Sequence, residues 1–386
     1  MNNSSTVMSS PKKTDAALEI HCQKEELLKG VHLVQNAISP RSTLPVLSNV
    51  LFESTDQGLR LSSTDLEVGI RCLVKADVKT LGSLTVPAKP LGEFLRTLDD
   101  GKDVSLKSTD GQKIEIRSGR DRCSLACLPK DDYPVLPEFN LEKAVSLNPA
   151  VLRDMIRKTA FAVSTDETRY VLNGVDFMVE KGQMTLVATD GRRLAFIQRE
   201  IADKKASINA IIPTKAVNEL ARVLSADEKG AELLVGFTEN QVTFQYKNVV
   251  IISRLIEGNF PNFEQVIPKS HDTRLRLKTK QILSATQRAA VGTLERGGSV
   301  RFALSAGRLQ ISASAQGRVE VESEVEVDYK GEPFAIAFNP AYLVDVFKSL
   351  EADEIFLEFS TPLNPGVIHP VGDDNYKYVV MPMQVS

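Results

Sequence analysis

The stretch ATDGRRLA (residues 188–195) reads as the end of a strand, a tight Asp-Gly turn and a restart. An Asp, a Gly and two Arg at such a turn fit a catalytic corner, a phosphate cradle or a plain hairpin. The rest of the chain bears on the choice, because the stretch recurs. A step of 125 residues backwards lands on Thr64-Asp65 in LRLSSTDLEVGI (59–70), and the same step forwards lands on Ser314-Ala315 in LQISASAQGRVEVE (309–322). Each copy is a strand, a small-residue corner and a second alternating stretch.

Other landmarks keep the same period. LTVPAKPLGEFLRTL with Pro87, AIIPTKAVNELARVL with Pro213 and IAFNPAYLVDVFKSL with Asn339-Pro340 lie 126 to 127 residues apart. Each is an apolar strand, a helix-start signal and an amphipathic helix; in the second, Val217, Leu220, Ala221 and Leu224 form the apolar stripe. LEIHCQKEELLKGVHLVQNAIS, VSLNPAVLRDMIRKTAFAVS and LRLKTKQILSATQRAAVGT open the copies as strand and helix, and RCSLACLP, ISRLIEG and YVVMPMQ close them as strands. Two helices and many short strands per copy predict an α+β fold with helices on one face and antiparallel sheets on the other. The period is far beyond the ~20–45 residues of a solenoid unit. Three tandem similar domains are therefore expected at 17–140, 141–268 and 269–386, after a polar, disordered N-terminal extension at 1–16. The joints fall near LPEFNLEKA (136–144) and VIPKSHDT (266–273).

Composition narrows the function. At 42% hydrophobic and 25% charged residues the chain reads as an ordinary globular protein, with no apolar run of membrane-spanning length and no signal core, and a cytoplasmic location is expected. The four cysteines and four histidines show no zinc spacing; Cys123 and Cys127 would share a strand face with Leu125 as a metal or redox pair or, on the favoured reading, as reduced core thiols. No metal or cofactor is expected. Phosphate-loop, dinucleotide, nucleophile-elbow and zincin motifs are absent. Asp65 and Asp190 are the only acids at the repeated corners, and the third copy has Ala315. A hydrolase built on Asp65 or Asp190 is the rival reading; an Asp that binds its own turn backbone is the favoured one. The balance points to binding rather than catalysis.

Basic residues recur on the polar faces of the repeated helices: Lys24, Lys89, Arg96, Lys215, Arg222, Lys280, Arg288 and Lys348, with Arg153, Arg157 and Lys158 opposite Leu152, Met155 and Ile156. Acids are mixed among them, so a solvated face and a sequence-independent phosphate-contact face are both open. A non-ring nucleic-acid-binding protein built from the same repeats is a second rival. Two stretches look complementary. VEVESEVEVD (319–328) places Glu320, Glu322, Glu324 and Glu326 on one side, and KIEIRSGRDR (113–122) ends with Arg117, Arg120 and Arg122. Lying in the last and first copies, they would pair head to tail between two chains, and such heterologous contacts close into a ring when the rotation fits. The alternative is a pair of charge-protected edges.

RSTLPVLSNVLFE (41–53), RYVLNGVDF (169–177), ATDGRRLA (188–195), GNFPNFEQVIP (258–268), FNPAYLVDVF (338–347) and YVVMPM (378–383) resemble, in order, motifs of the bacterial DNA polymerase III beta subunit family, the sliding clamps. The resemblance covers the chain after residue 16. It implies a homodimeric, head-to-tail ring with helices lining the hole and sheets outside, threaded by double-stranded DNA, with no catalysis of its own. It implies that the replicative polymerase, an ATP-driven clamp loader and repair proteins dock through short Gln/Leu/Phe-bearing peptides. The implied peptide pocket uses Leu172, Thr189, Gly191, Arg192, Arg193, Leu194, Pro261, Val266, Tyr342, Val379, Met381, Pro382 and Met383, with the arginines and turn backbone holding polar atoms of the peptide. The DNA-facing candidates are Arg41, Lys89, Arg153, Arg157, Arg169, Tyr170 and Lys215. The dimer contacts are Arg117, Arg120 and Arg122 against Glu320, Glu322 and Glu324. Two departures stand out: Arg192 sits where the family often has His, and Gln384, Val385 and Ser386 follow Met383 where it often ends Arg-Leu.

Overall fold

The computed structural model describes residues 17–39, 44–137, 144–224, 231–293, 298–315 and 319–384; the 1–16 extension, Arg41, Val385 and Ser386 lie outside these. By internal contacts the chain divides into two compact units, Met1–Glu142 with Thr243–Ser253, and Lys143–Val242 with Arg254–Ser386. The α-helices among the described residues are α1 (Lys24–Gln35), α2 (Ala88–Thr97), α3 (Pro149–Thr159), α4 (Thr214–Val223), α5 (Thr279–Ala290) and α6 (Pro340–Ser349), two in each sequence repeat. Their starts follow the local chemistry. Asn148 accepts hydrogen bonds from the N–H groups of Ala150 and Val151 ahead of α3, and Asn339 accepts from Ala341 ahead of α6, each with Pro at the first helical position.

In the first unit, α1 lies on strands Gly58–Thr64 and Val68–Val74 and against α2. Leu27, Val31 and Val34 are fully buried on its inner stripe. Gly30 permits the close approach: a Cβ there would meet Val74 Cγ2 at 2.5 Å and Leu61 Cδ1 at 3.0 Å. Val68–Val74 pairs antiparallel with Val249–Arg254, Ile70 opposite Ile251, which is why Thr243–Ser253 belongs to this unit. A separate antiparallel sheet runs Asp77–Thr80, Leu18–Gln23, Asp103–Ser108, Lys113–Ser118, Asp121–Ala126. The stretch 113–122 is thus not one edge strand. It turns at Gly119, whose φ is 59°, and the edge is Asp121–Ala126. The cysteines of this unit are free thiols; Cys22, Cys72 and Cys127 are buried, and burial pushes each thiol up to about 12.

The second unit holds an eight-stranded antiparallel sheet in the order Ile208–Pro213, Gly174–Glu180, Gln183–Thr189, Arg193–Glu200, Tyr376–Val380, Gly366–Pro370, Glu354–Phe359, Thr273–Lys278. Strands of the second and third repeats are therefore continuous across the pairing of Arg193–Glu200 with Tyr376–Val380. α3 packs on Gln183–Thr189 and Arg193–Glu200, while α5 packs on Arg308–Ala315, on Val319–Glu326 and on α6. A four-stranded sheet runs Val319–Glu326, Arg308–Ala315, Val300–Ser305, Phe334–Phe338, with Val319–Glu326 at its edge.

Two of the basic residues expected on polar helix faces are buried. Lys24 is buried with its Nζ 2.6 Å from Asp100 Oδ1, and Lys158 is buried with its Nζ 2.8 Å from Asp154 Oδ2 and 5.9 Å from the Tyr376 ring centroid. Each buried stem carries its ammonium to a carboxylate, Lys24 to an exposed one and Lys158 to a half-buried one.

Gly174 is a sensitive point, since a Cβ there would lie 2.7 Å from the Ile212 carbonyl oxygen and 2.8 Å from both Ile211 Cγ2 and Ile256 Cδ1. Backbone cannot yield as a side-chain tip can. Gly174→Ala is expected to destabilise the protein by about 1–3 kcal/mol in urea unfolding; an unmoved midpoint would contradict this packing.

Candidate functional site

The corner at 188–195 is held by its own side chains. Asp190 Oδ1 accepts from the N–H groups of Arg192 (2.9 Å) and Arg193 (3.0 Å), and Thr189 Oγ1 donates to the Arg193 carbonyl (2.6 Å) and accepts from Gly191 N–H (3.1 Å). The first copy repeats this bonding: Asp65 Oδ1 accepts from Glu67 (3.0 Å) and Val68 (2.8 Å), and Thr64 Oγ1 donates to the Val68 carbonyl (3.0 Å). Both Asp side chains thus make an Asx turn. The third turn residue needs a left-handed backbone, with φ 82° at Gly191 and 81° at Leu66. Only the middle copy supplies the glycine that adopts this φ without steric cost.

Above this corner lies an apolar cavity of about 140 Å³. Leu172, Thr189, Gly191, Arg192, Arg193, Leu194, Pro261, Val266, Val379 and Met381 line it, joined by Asn262 and Phe263. Its floor is the strand joint, where Leu194 stands opposite Val379 and Met381 N–H donates to the Arg192 carbonyl at 2.9 Å. Val187, Leu194 and Val379 form a buried cluster capped by Phe260, Phe263 and Ile267 from the segment 258–268, with Phe263 packed 5.8 Å from the Phe196 ring. Val266 and Met381 are the exposed apolar lips, 43% and 41% accessible. Apolar surface of this kind, with a flexible Met and a rigid Pro, can receive an apolar side chain of a ligand.

The structure alters the roles of some expected residues. Arg193 lines the cavity while its side chain is engaged within the protein. Its side chain is only 9% exposed. It bonds Asp190 at 3.1 Å, Asp345 at 2.7 Å and the Phe161 carbonyl at 2.7 Å, and stacks 4.4 Å from the Tyr342 ring centroid. It ties the corner to α6, and only Arg192 is exposed at the rim. Tyr342, Pro382 and Met383 are absent from the cavity wall; Tyr342 carries the Arg193 stack, and Met383 N–H bonds the Ala337 carbonyl at 2.8 Å. Asn262 and Phe263 were legible only as part of the 258–268 stretch.

Sequence profiles described as the DNA polymerase III beta subunit N-terminal, central and C-terminal domains match residues 18–137, 146–262 and 264–384. The chain belongs to the beta sliding clamp family. It is 34% identical over 363 residues to the beta sliding clamp of Chlamydia muridarum, covering 94% of this chain and 98% of that one. It is 34% identical over 374 residues to that of Caulobacter vibrioides, covering 95% and 100%. Among solved structures, the Caulobacter crescentus beta sliding clamp with polyethylene glycol bound matches with TM-score 0.90, 34% identity and coverage of 96% and 100%. The Pseudomonas aeruginosa DnaN sliding clamp bound to griselimycin matches with TM-score 0.89, 32% identity and the same coverage.

On this clamp chain the expected DNA-facing residues are placed unequally. Lys89 on α2 and Arg153 on α3 are exposed, and Lys215 at the start of α4 is half-exposed. Arg157 is half-buried between Asp154 and Glu351, the latter at 2.7 Å. Arg169 and Tyr170 are exposed, and Arg169 donates to the Asp190 carbonyl at 3.3 Å. On the clamp's expected dimer strands, Glu320, Glu322 and Glu324 are exposed on the edge strand Val319–Glu326. Arg117 and Arg122 both pair with Glu115, and Arg120 stands exposed in the hairpin turn.

Removing Arg193 leaves Asp190 and Asp345 without their shared cation. Arg193→Ala should cost about 2–4 kcal/mol in chemical denaturation, and Arg193→Lys should recover little, because an ammonium cannot reproduce the forked contacts. Full stability in the lysine variant would refute this role.

Proposed function

We propose that this chain is a DNA replication processivity factor: two copies close head to tail into a ring around duplex DNA, and the groove at residues 188–195 holds the replicative polymerase, the loader and repair proteins by short peptides. The domain limits are read as 17–140, 141–268 and 269–386, the location as cytoplasmic, and no reaction is assigned to the chain. Retention then comes from topology, so Lys89, Arg153, Arg157, Arg169, Tyr170 and Lys215 need only favour phosphate loosely. A net charge of −3 is compatible with this, since charges more than ~8 Å apart through water are largely screened.

The observation that carries the reading is an unfilled position in a repeated joint. The strand after the corner pairs with the closing strand of the following repeat twice, as Val68–Val74 with Val249–Arg254 and as Arg193–Glu200 with Tyr376–Val380. The third corner strand, Val319–Glu326, and the first closing strand, Asp121–Ala126, are both sheet edges. A second copy supplies the missing partner at each, and the acidic row on one and the basic residues on the other set the polarity.

Loaded by its cognate loader and ATP on a nicked circular plasmid, the protein should stay bound until the plasmid is linearised and then slide off. Retention on the cut DNA would mean ordinary groove binding. Separately, the double reversal Glu322→Lys with Glu324→Lys should raise the dimer dissociation constant at least tenfold in sedimentation; an unchanged mass at low concentration would remove the strand pairing.

A further inference from the structure

Beside the apolar groove lies a second, larger cavity of about 440 Å³, and Pro261, Asn262 and Phe263 line both. Its chemistry is opposite in kind. The wall carries Asp176, Glu239 and Glu257 with four asparagines, and no lysine or arginine. Asp176 is the unusual member. It sits within strand Gly174–Glu180, opposite Val187 on one neighbour and Ile211 on the other, on the face shared with Met178. It is 3% exposed, and its Oδ1 is shut off from solvent with no hydrogen-bond partner among the described residues. Burial pushes its carboxyl up to about 6, so near neutral pH it is mostly an ionised group without a counter-charge.

A buried carboxylate left this way is costly unless a donor or cation reaches it. A divalent metal is not what the site fits, because no group of three ligating side chains among the described residues converges as metal ligands do. A planar guanidinium matches better: it donates in a fork to carboxylates and its remaining N–H groups suit amide oxygens such as those of Asn209, Asn240 and Asn259. We propose that this cavity receives an arginine side chain from the chain flanking the partner's apolar anchor, making it a second, cationic subsite continuous with the groove. The inference rests on the peptide-groove reading of the proposed function and extends it to partner choice. The shared wall at 261–263 places the two subsites side by side, so a flank of a few extended residues, at ~3.3 Å each, passes from one to the other.

The test uses the full-length protein and synthetic peptides with one Gln/Leu/Phe-bearing anchor. Each carries two Arg, two Lys or two Ala on its N-terminal or C-terminal flank, and dissociation constants are read by calorimetry at 150 mM salt. With wild-type protein, one Arg-flanked peptide should bind roughly tenfold more tightly than its Ala counterpart, and the Lys peptide should gain less. Asp176→Asn should erase that gain and leave the Ala peptide's affinity unchanged. Glu239→Gln with Glu257→Gln, both at exposed positions, gives a second readout and should halve the gain or more. An Arg advantage that survives in both variants is general attraction to an acidic protein and overturns the subsite. Equal binding of all flanks by the wild type overturns it too, with the groove reading intact. Failure of every anchor peptide to bind would overturn the groove itself.

Discussion

The antiparallel pairing of Arg193–Glu200 with Tyr376–Val380 holds the second unit together and also makes its groove. The ladder joins two repeats into one sheet and sets Leu194 against Val379. The same register carries the chain on to Met381, whose N–H closes on the Arg192 carbonyl. Any slip by one residue would turn Leu194 and Val379 to the other face and remove the groove's floor. Arg193 locks that register from below through Asp190, Asp345 and the Tyr342 ring. Shape at the groove is thus a consequence of how the repeats are joined, not a feature added to a finished domain.

The segment 258–268 then does two things at once. Phe260, Phe263 and Ile267 bury the outer face of the joint, while Pro261, Asn262 and Phe263 become a wall between an apolar and an acidic cavity. Ile256 N–H bonds the Ile211 carbonyl at 2.9 Å and anchors the base of the segment to the edge strand Ile208–Pro213. The segment can therefore present rigid Pro and aromatic surface without itself being part of the sheet.

Repetition also shows how the three corners differ. The Asx-turn bonding at Asp190 is repeated at Asp65, yet Leu66 occupies the left-handed position where the middle copy has Gly191. Leu66 is 47% exposed there. The third copy has Ala315 in place of the Asp, so the side chain that makes the turn is missing. The scaffold is shared, and the corners differ in the residue at the left-handed position and in the turn-making Asp.

The sequence by itself determined the threefold repeat, the helix start at Asn339, the antiparallel strands and the family resemblance, because these rest on local propensity and on spacing along the chain. The family resemblance, not a pattern in the chain, pointed to cavity-lining residues such as Leu172, Leu194, Val379 and Met381. Tertiary structure alone decided what each polar group does. Lys24 and Lys158 were read on polar helix faces, but both side chains are buried, with their ammonium groups paired to Asp100 and Asp154. Arg193 and Arg192 are neighbours of one type, and only packing separates the buried tie from the exposed rim. Asp176, an unremarked acid in a strand, becomes a buried carboxylate once residues 255–263 cross beside it. Burial and partner geometry arise between segments far apart in sequence, so no pattern along one segment records them.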